Sequence, residues 1–153
     1  MKRVPVLTLL SSLAAVLSAQ GPAPVPVAGI KTFASSADVA ALIAKAKSER
    51  KDGQAIVTQP ILQFAPYTAT LEYRAIAGAA AVHPKDAEMI YVIDGSATFV
   101  SGGNLTGATI QGGDTRTVSK GDFLVVPEGT PHWFSAVDGA VVLMTIKMPR
   151  GGQ

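Results

Sequence analysis

From about residue 54 onward, apolar and polar residues alternate in short runs. The runs are "AIVTQPILQF" (55–64), "TATLEYRAI" (68–76), "EMIYVID" (88–94), "SATFVS" (96–101), "DTRTVS" (114–119), "DFLVVP" (122–127), "HWFSAV" (132–137) and "AVVLMTIKM" (140–148). Each is rich in β-branched and aromatic residues and is closed by glycine, proline, asparagine or aspartate, the composition of a strand bounded by turns. Many short strands at regular spacing predict an all-β sandwich or closed barrel rather than an α/β fold. Pro60 lies inside the first run, so that strand is expected at a sheet edge or at a bulge. The stretch from Gly102 to Gly113 reads as a long polar loop that could border a pocket mouth or act as a plain connector.

A different period precedes the strands. In "SSADVAALIAKAKSERKDG", Val39, Leu42, Ile43 and Ala46 recur at helical spacing, with Ser36 as the expected N-cap, basic residues late and Gly53 beyond. One amphipathic helix should lie with its apolar stripe on the outside of the β domain. Before it, residues 20–35 form a Pro/Gly-rich tether that includes "GPAPVPVAG" (21–29). The first 19 residues carry Lys2 and Arg3, an apolar run from Val4 to Val16, and small residues at Ser18 and Ala19. This is the pattern of a signal peptide cleaved near Ala19, and it implies a periplasmic or secreted protein. The apolar run is too short to span a membrane. The expected organisation is therefore a leader (1–19), a tether (20–35) and one domain (36–153) comprising the helix and the barrel.

Removing the leader changes the charge. It takes two of the 13 Lys and Arg residues and none of the 11 Asp and Glu residues, which leaves a formally neutral chain. No basic stripe interleaved with aromatics remains, so nucleic acid is not an expected partner. Cysteine is absent, so neither a disulfide framework nor a thiolate ligand is available.

The chemistry therefore falls to two histidines. His83 precedes the strand beginning near Glu88, and His132 opens "HWFSAV". Imidazole nitrogen with carboxylate oxygen suits borderline divalent metals: iron, manganese, zinc or nickel. A small β-barrel can bring such ligands together from separate strands.

These residues resemble the two motifs of the cupin superfamily. Glu88, "MIYVID" and Gly95 match the second half of the first motif, with His83 in place of its second histidine. Gly121, "DFLVV", Pro127, Glu128, Gly129, "TP" and His132 match the second motif without a gap. Ala81 stands where the first histidine would be, Ala75 at the leading glycine and Ala136 at the final asparagine. The resemblance covers roughly residues 68–147. It implies a double-stranded β-helix (jelly-roll) barrel with one N-terminal α-helix, and a divalent metal ion on His83, Glu88 and His132. Ala81 then either leaves a position open for water or substrate or marks a site that has lost its metal. Gly95, Gly121, Pro127 and Gly129 are expected to serve turn geometry.

Two further residues are candidate substrate contacts. Phe134 shares parity with His132 and should line the same interior, with Trp133 on the opposite face. Arg74 alternates with Glu72 and Thr70 on one face of its strand, where it could meet an anionic substrate or pair with Glu72. The expected function is metal-dependent catalysis on a small molecule, of oxygenase, isomerase or lyase type; the alternative is a non-catalytic barrel that captures a ligand. Expected partners are that small molecule and, as one option for assembly, a second copy of the chain in a homodimer.

Overall fold

The structure, a computed structural model, describes residues 29–149; the expected leader and residues 20–28 of the tether lie outside the described residues. Helix α1 (Ser36–Glu49) is followed by β1 (Ile56–Phe64), β2 (Tyr67–Arg74), β3 (Asp86–Ser101), β4 (Asn104–Thr106), β5 (Thr109–Gln111), β6 (Asp114–Ser119), β7 (Phe123–Val126) and β8 (His132–Pro149). The main sheet runs β1-β2-β8-β3-β6, with β7 also paired to β3, and β4 and β5 form a separate hairpin. All pairings are antiparallel, giving a jelly-roll barrel with a single helix.

Two turn signals in the sequence prove to be bends inside strands. "DG" at 94 and "DG" at 138 do not end their strands: β3 and β8 each run through, and the register between them shifts from Gly95↔Val141 to Ser96↔Asp138. The shift leaves Gly139 and Ala140 unmatched on β8, a bulge that lets both long strands turn the barrel corner together. Gly95 has φ +81°, and a Cβ there would lie 2.0 Å from the Ala140 carbonyl oxygen, so only glycine fits. The supposed loop after Gly102 is largely the β4–β5 hairpin. Pro60 falls as expected on an edge strand and at a register shift, between Pro60 and Leu62.

Alternation sorts side chains into two cores. Ile90, Val92, Phe99, Val118, Val126, Phe134, Val141 and Leu143 fill the barrel interior. Val57, Ile61, Ala69, Leu71 and Val142 cover the outer face, and Val39, Leu42, Ile43 and Ala46 of α1 pack against them. Each large side chain buried this way contributes roughly 1.5–3 kcal/mol. The helix is capped by Ser35, not Ser36: its hydroxyl accepts from the Asp38 amide (3.1 Å), while the Asp38 carboxylate accepts from the Ser35 amide (2.8 Å). The reciprocal box satisfies two backbone donors with one residue pair, which fixes the helix start one residue earlier. Ahead of the cap, Lys31 exchanges two backbone hydrogen bonds with Gln63, so the last part of the tether is tied to β1. At the other end, buried Gln59 donates to the Glu49 carboxylate (2.6 Å), joining the helix C-terminus to β1.

Candidate metal centre

Glu88 lies in β3 on the inward-facing parity of Ile90 and Val92, and it is 5% exposed. Burying a carboxylate is costly unless something compensates its charge. His132 begins β8 on the same inward parity as Phe134 and is 4% exposed. His83 comes from the segment between β2 and β3, which is held down by its backbone. The Ala81 amide donates to the His132 carbonyl (2.9 Å) and the His132 amide to the Ala81 carbonyl (2.9 Å), while the Gly129 amide donates to the His83 carbonyl (2.8 Å). Trp133, half-buried on the opposite parity, donates its indole N–H to the Gly78 carbonyl (2.7 Å). The second motif thus supplies His132 and also clamps the segment that carries His83.

The three side chains converge. Glu88 Oε2 is 3.1 Å from His132 Nε2 and 3.5 Å from His83 Nε2, and one ligand atom from each residue lies within 4.8 Å of the other two. Donors at right angles around an ion, each about 2.1 Å from it, stand about 3 Å apart, so the spacing suits a shared cation. His132 Nδ1 lies 3.2 Å from the Thr130 carbonyl oxygen, which can only accept. With its hydrogen on Nδ1, donated to Thr130, the ring turns the Nε2 lone pair to Glu88, the form that ligates a metal; without a metal, Nε2 can carry the hydrogen and donate it to Glu88. A lone pair and a carboxylate at 3.1 Å repel unless a proton or a metal ion lies between them. The residues fit a divalent metal.

The electrostatics favour the ligand forms. Burial first, then Lys147, holds the His83 imidazole below its ordinary range, against the opposing pull of Glu88. Burial pushes the Glu88 carboxyl up, but the hydrogen bond from His132, the charges of His132 and His83, and Lys147 outweigh it, and the net direction is down. Near neutral pH His83 is neutral and Glu88 is ionised, as metal binding requires.

Ala81 and His132 form an antiparallel bridge, and directly opposed residues project to the same face. The Ala81 methyl therefore shares the face of the triad, where the family motif would place another imidazole. Phe134 is buried in the interior as expected, with its ring 5.0 Å from that of Phe99, which in turn is 6.3 Å from His132. Arg74 also faces inward, but its charge is engaged: it pairs with Glu72 at 2.8 Å and stacks over Phe134 at 4.6 Å. Two contributors carry no signal in the sequence: the Thr130 carbonyl, a backbone group, and Lys147, which reaches Glu88 only through the pairing of β3 with β8.

The model of the cupin domain matches residues 67–147, more than half of the chain. No curated protein matches the sequence. Among solved structures, the chain is similar to Fe(II) HppE (15% identity, 65% of this chain and 54% of that one, TM-score 0.55). It is also similar to TT1209 from Thermus thermophilus (17% identity, 69% and 93%, TM-score 0.52) and to KdgF from Halomonas sp. (19% identity, 66% and 86%, TM-score 0.50). At these identities the likeness is one of fold. With both motifs placed on one barrel and the domain matched along most of its strands, the chain belongs to the cupin family.

Proposed function

We propose that this cupin is a metal-dependent enzyme acting on a small molecule, with the ion held by His83, Glu88 and His132. The observation that carries the reading is the buried Glu88 carboxylate facing two imidazole Nε2 atoms, at 3.1 Å and 3.5 Å. Iron, manganese, zinc and nickel all suit this donor set, and the similarity to Fe(II) HppE keeps iron among them. A bound ion supplies Lewis-acid polarisation of a substrate oxygen or an acidified water; with a redox metal it also supplies oxygen chemistry. The chain's own residues do the rest. Thr130 holds the ring of His132, Gly129 and Trp133 hold the segment of His83, and Phe99 and Phe134 keep water from one side of the site. No residue with its own general base is arranged as a nucleophile among the described residues, so catalysis rests on the ion.

A second reading, a barrel that binds its ligand without turnover, is favoured by the Ala81 methyl on the ligand face. The two separate on Glu88→Gln, which keeps the side chain's size and removes its charge. The first reading expects Co²⁺ or Zn²⁺ affinity, measured by calorimetry, to fall by more than about 100-fold, since loss of even an outer partner costs roughly 10–100-fold. Wild-type protein that takes up no divalent ion would leave the second reading in place.

A further inference from the structure

Beside the triad, a cleft of about 510 Å³ opens on the inward face of β2 and β8, within the roughly 300–1,000 Å³ of small-molecule sites. Its chemistry differs from the rest of the interior. The inward positions of β3, β7 and the middle of β8 are apolar: Ile90, Val92, Val126, Val141 and Leu143. On β2 the pattern is inverted. Ala69, Leu71 and Tyr73 pack toward the helix, and Thr68, Thr70, Glu72 and Arg74 face the barrel side. Thr145 of β8, directly opposite Thr70, continues this polar row and is 5% exposed. A polar row on an inward face is unfavourable for a packed core, and it suits a wet or ligand-filled cleft.

The lining also selects what can fill it. Glu72 and Asp86 are carboxylates and can only accept hydrogen bonds, so they call for ligand hydroxyls. The threonines accept and donate. Arg74 is committed to Glu72, whereas Lys147 on the cleft wall has no carboxylate within 4 Å among the described residues. As an ammonium it can only donate, and it calls for an anionic acceptor. Lys147 stands opposite Glu88 in the β3–β8 register, so it lies between the cleft and the triad.

The geometry points to a small polyhydroxylated carboxylate as the ligand class, with its hydroxyls against Thr70, Thr145, Glu72 and Asp86 and its anionic end at Lys147, next to the metal ligands. This rests on the metal-site reading for the reacting end of the ligand and on the cleft alone for the ligand's chemistry. An apolar ligand would leave Asp86 and Lys147 without partners, and a polyamine would meet Lys147 as a like charge.

Three probes separate the terms: D-gluconate has hydroxyls and charge, D-sorbitol hydroxyls only, and hexanoate charge only. Each is titrated into metal-free and Zn²⁺-loaded full-length protein and followed by amide chemical shifts. Gluconate is expected to perturb Thr70, Thr145 and Lys147 in both forms and to bind at least tenfold more tightly than either other probe. Lys147→Met, a change at an exposed position, should weaken gluconate by about tenfold or more in the metal-free protein, in line with losing a hydrogen bond to a charged group. Thr145→Val should weaken gluconate and leave hexanoate unchanged. The inference is overturned if gluconate does not perturb the cleft, if sorbitol or hexanoate binds as tightly, or if Lys147→Met binds gluconate undiminished. Zn²⁺ titrated alone reports on the metal reading separately: gluconate binding without Zn²⁺ binding removes that reading and keeps the cleft, and the reverse result does the opposite.

Discussion

Gly95 and Gly121 look equivalent in the sequence, each a motif glycine beside a turn signal, yet their surroundings in the fold give alanine unequal effects at the two. Both have positive φ, +81° and +95°. An L-residue there costs about 1–2 kcal/mol in backbone strain. At Gly121 nothing lies within 4 Å of the added Cβ, so the strain is the whole cost. At Gly95 the Cβ would sit 2.0 Å from the Ala140 carbonyl oxygen and 3.1 Å from the Val141 Cα. Relief to about 3 Å requires β3 and β8 to part by about 1 Å at the bulge, and each ladder hydrogen bond weakened there is worth about 1 kcal/mol net. The expected loss for Gly95→Ala is about 3–5 kcal/mol, against about 1–2 kcal/mol for Gly121→Ala. For a domain of this size the difference corresponds to a gap in Tm of about 10 °C. The perturbation also reaches the site, because Gly95 separates the half of β3 carrying Glu88 from the half that pairs with the start of β8 at His132. Urea unfolding of the metal-free variants, followed by Zn²⁺ titration, makes the comparison. Equal destabilisation of the two variants, or a loss below about 1 kcal/mol for Gly95→Ala, would refute the corner argument.

Ala81→His adds an imidazole on the face of His132 and is expected to tighten Zn²⁺ binding by about tenfold or more; unchanged affinity in a folded variant would show that position 81 does not reach the ion. Trp133→Phe removes the hydrogen bond to Gly78, and should cost about 1 kcal/mol of stability in urea and weaken metal binding by loosening the segment that holds His83. Full retention of metal affinity would show that the segment is held by Ala81 and Gly129 alone. Acid should destabilise the metal-free protein. The His83 imidazole is depressed in the folded state, so its contribution is present above the unfolded value of about 6.5 and is lost as pH falls below it. Glu88, also depressed, adds a second loss as pH falls below about 4.5 through its folded value. A urea midpoint that rises between about pH 7 and pH 5 would contradict the His83 direction, and one that rises on further acidification would contradict that of Glu88.

The sequence by itself determined the all-β class, the helix and the three candidate ligands, because each depends on local spacing. Period-2 alternation marks the strands, the 3.6 period marks α1, and two motifs of fixed length place His83, Glu88 and His132 on particular strands and turns. It misjudged the strand ends at residues 94 and 138, since "DG" has the same composition whether it ends a strand or bends one; only the partner strand, by continuing to pair past it, decides. It also left open which face of β2 looks inward. That choice belongs to packing: α1 covers Ala69, Leu71 and Tyr73, and this turns Thr70, Glu72 and Arg74 toward the barrel, where Arg74 meets Phe134. Register did the remainder. The bridge of Ala81 to His132 and the pairing of Glu88 with Lys147 join residues far apart in the chain, and no local pattern encodes them, because a strand shifted by one residue keeps its composition and turns every side chain to the other face.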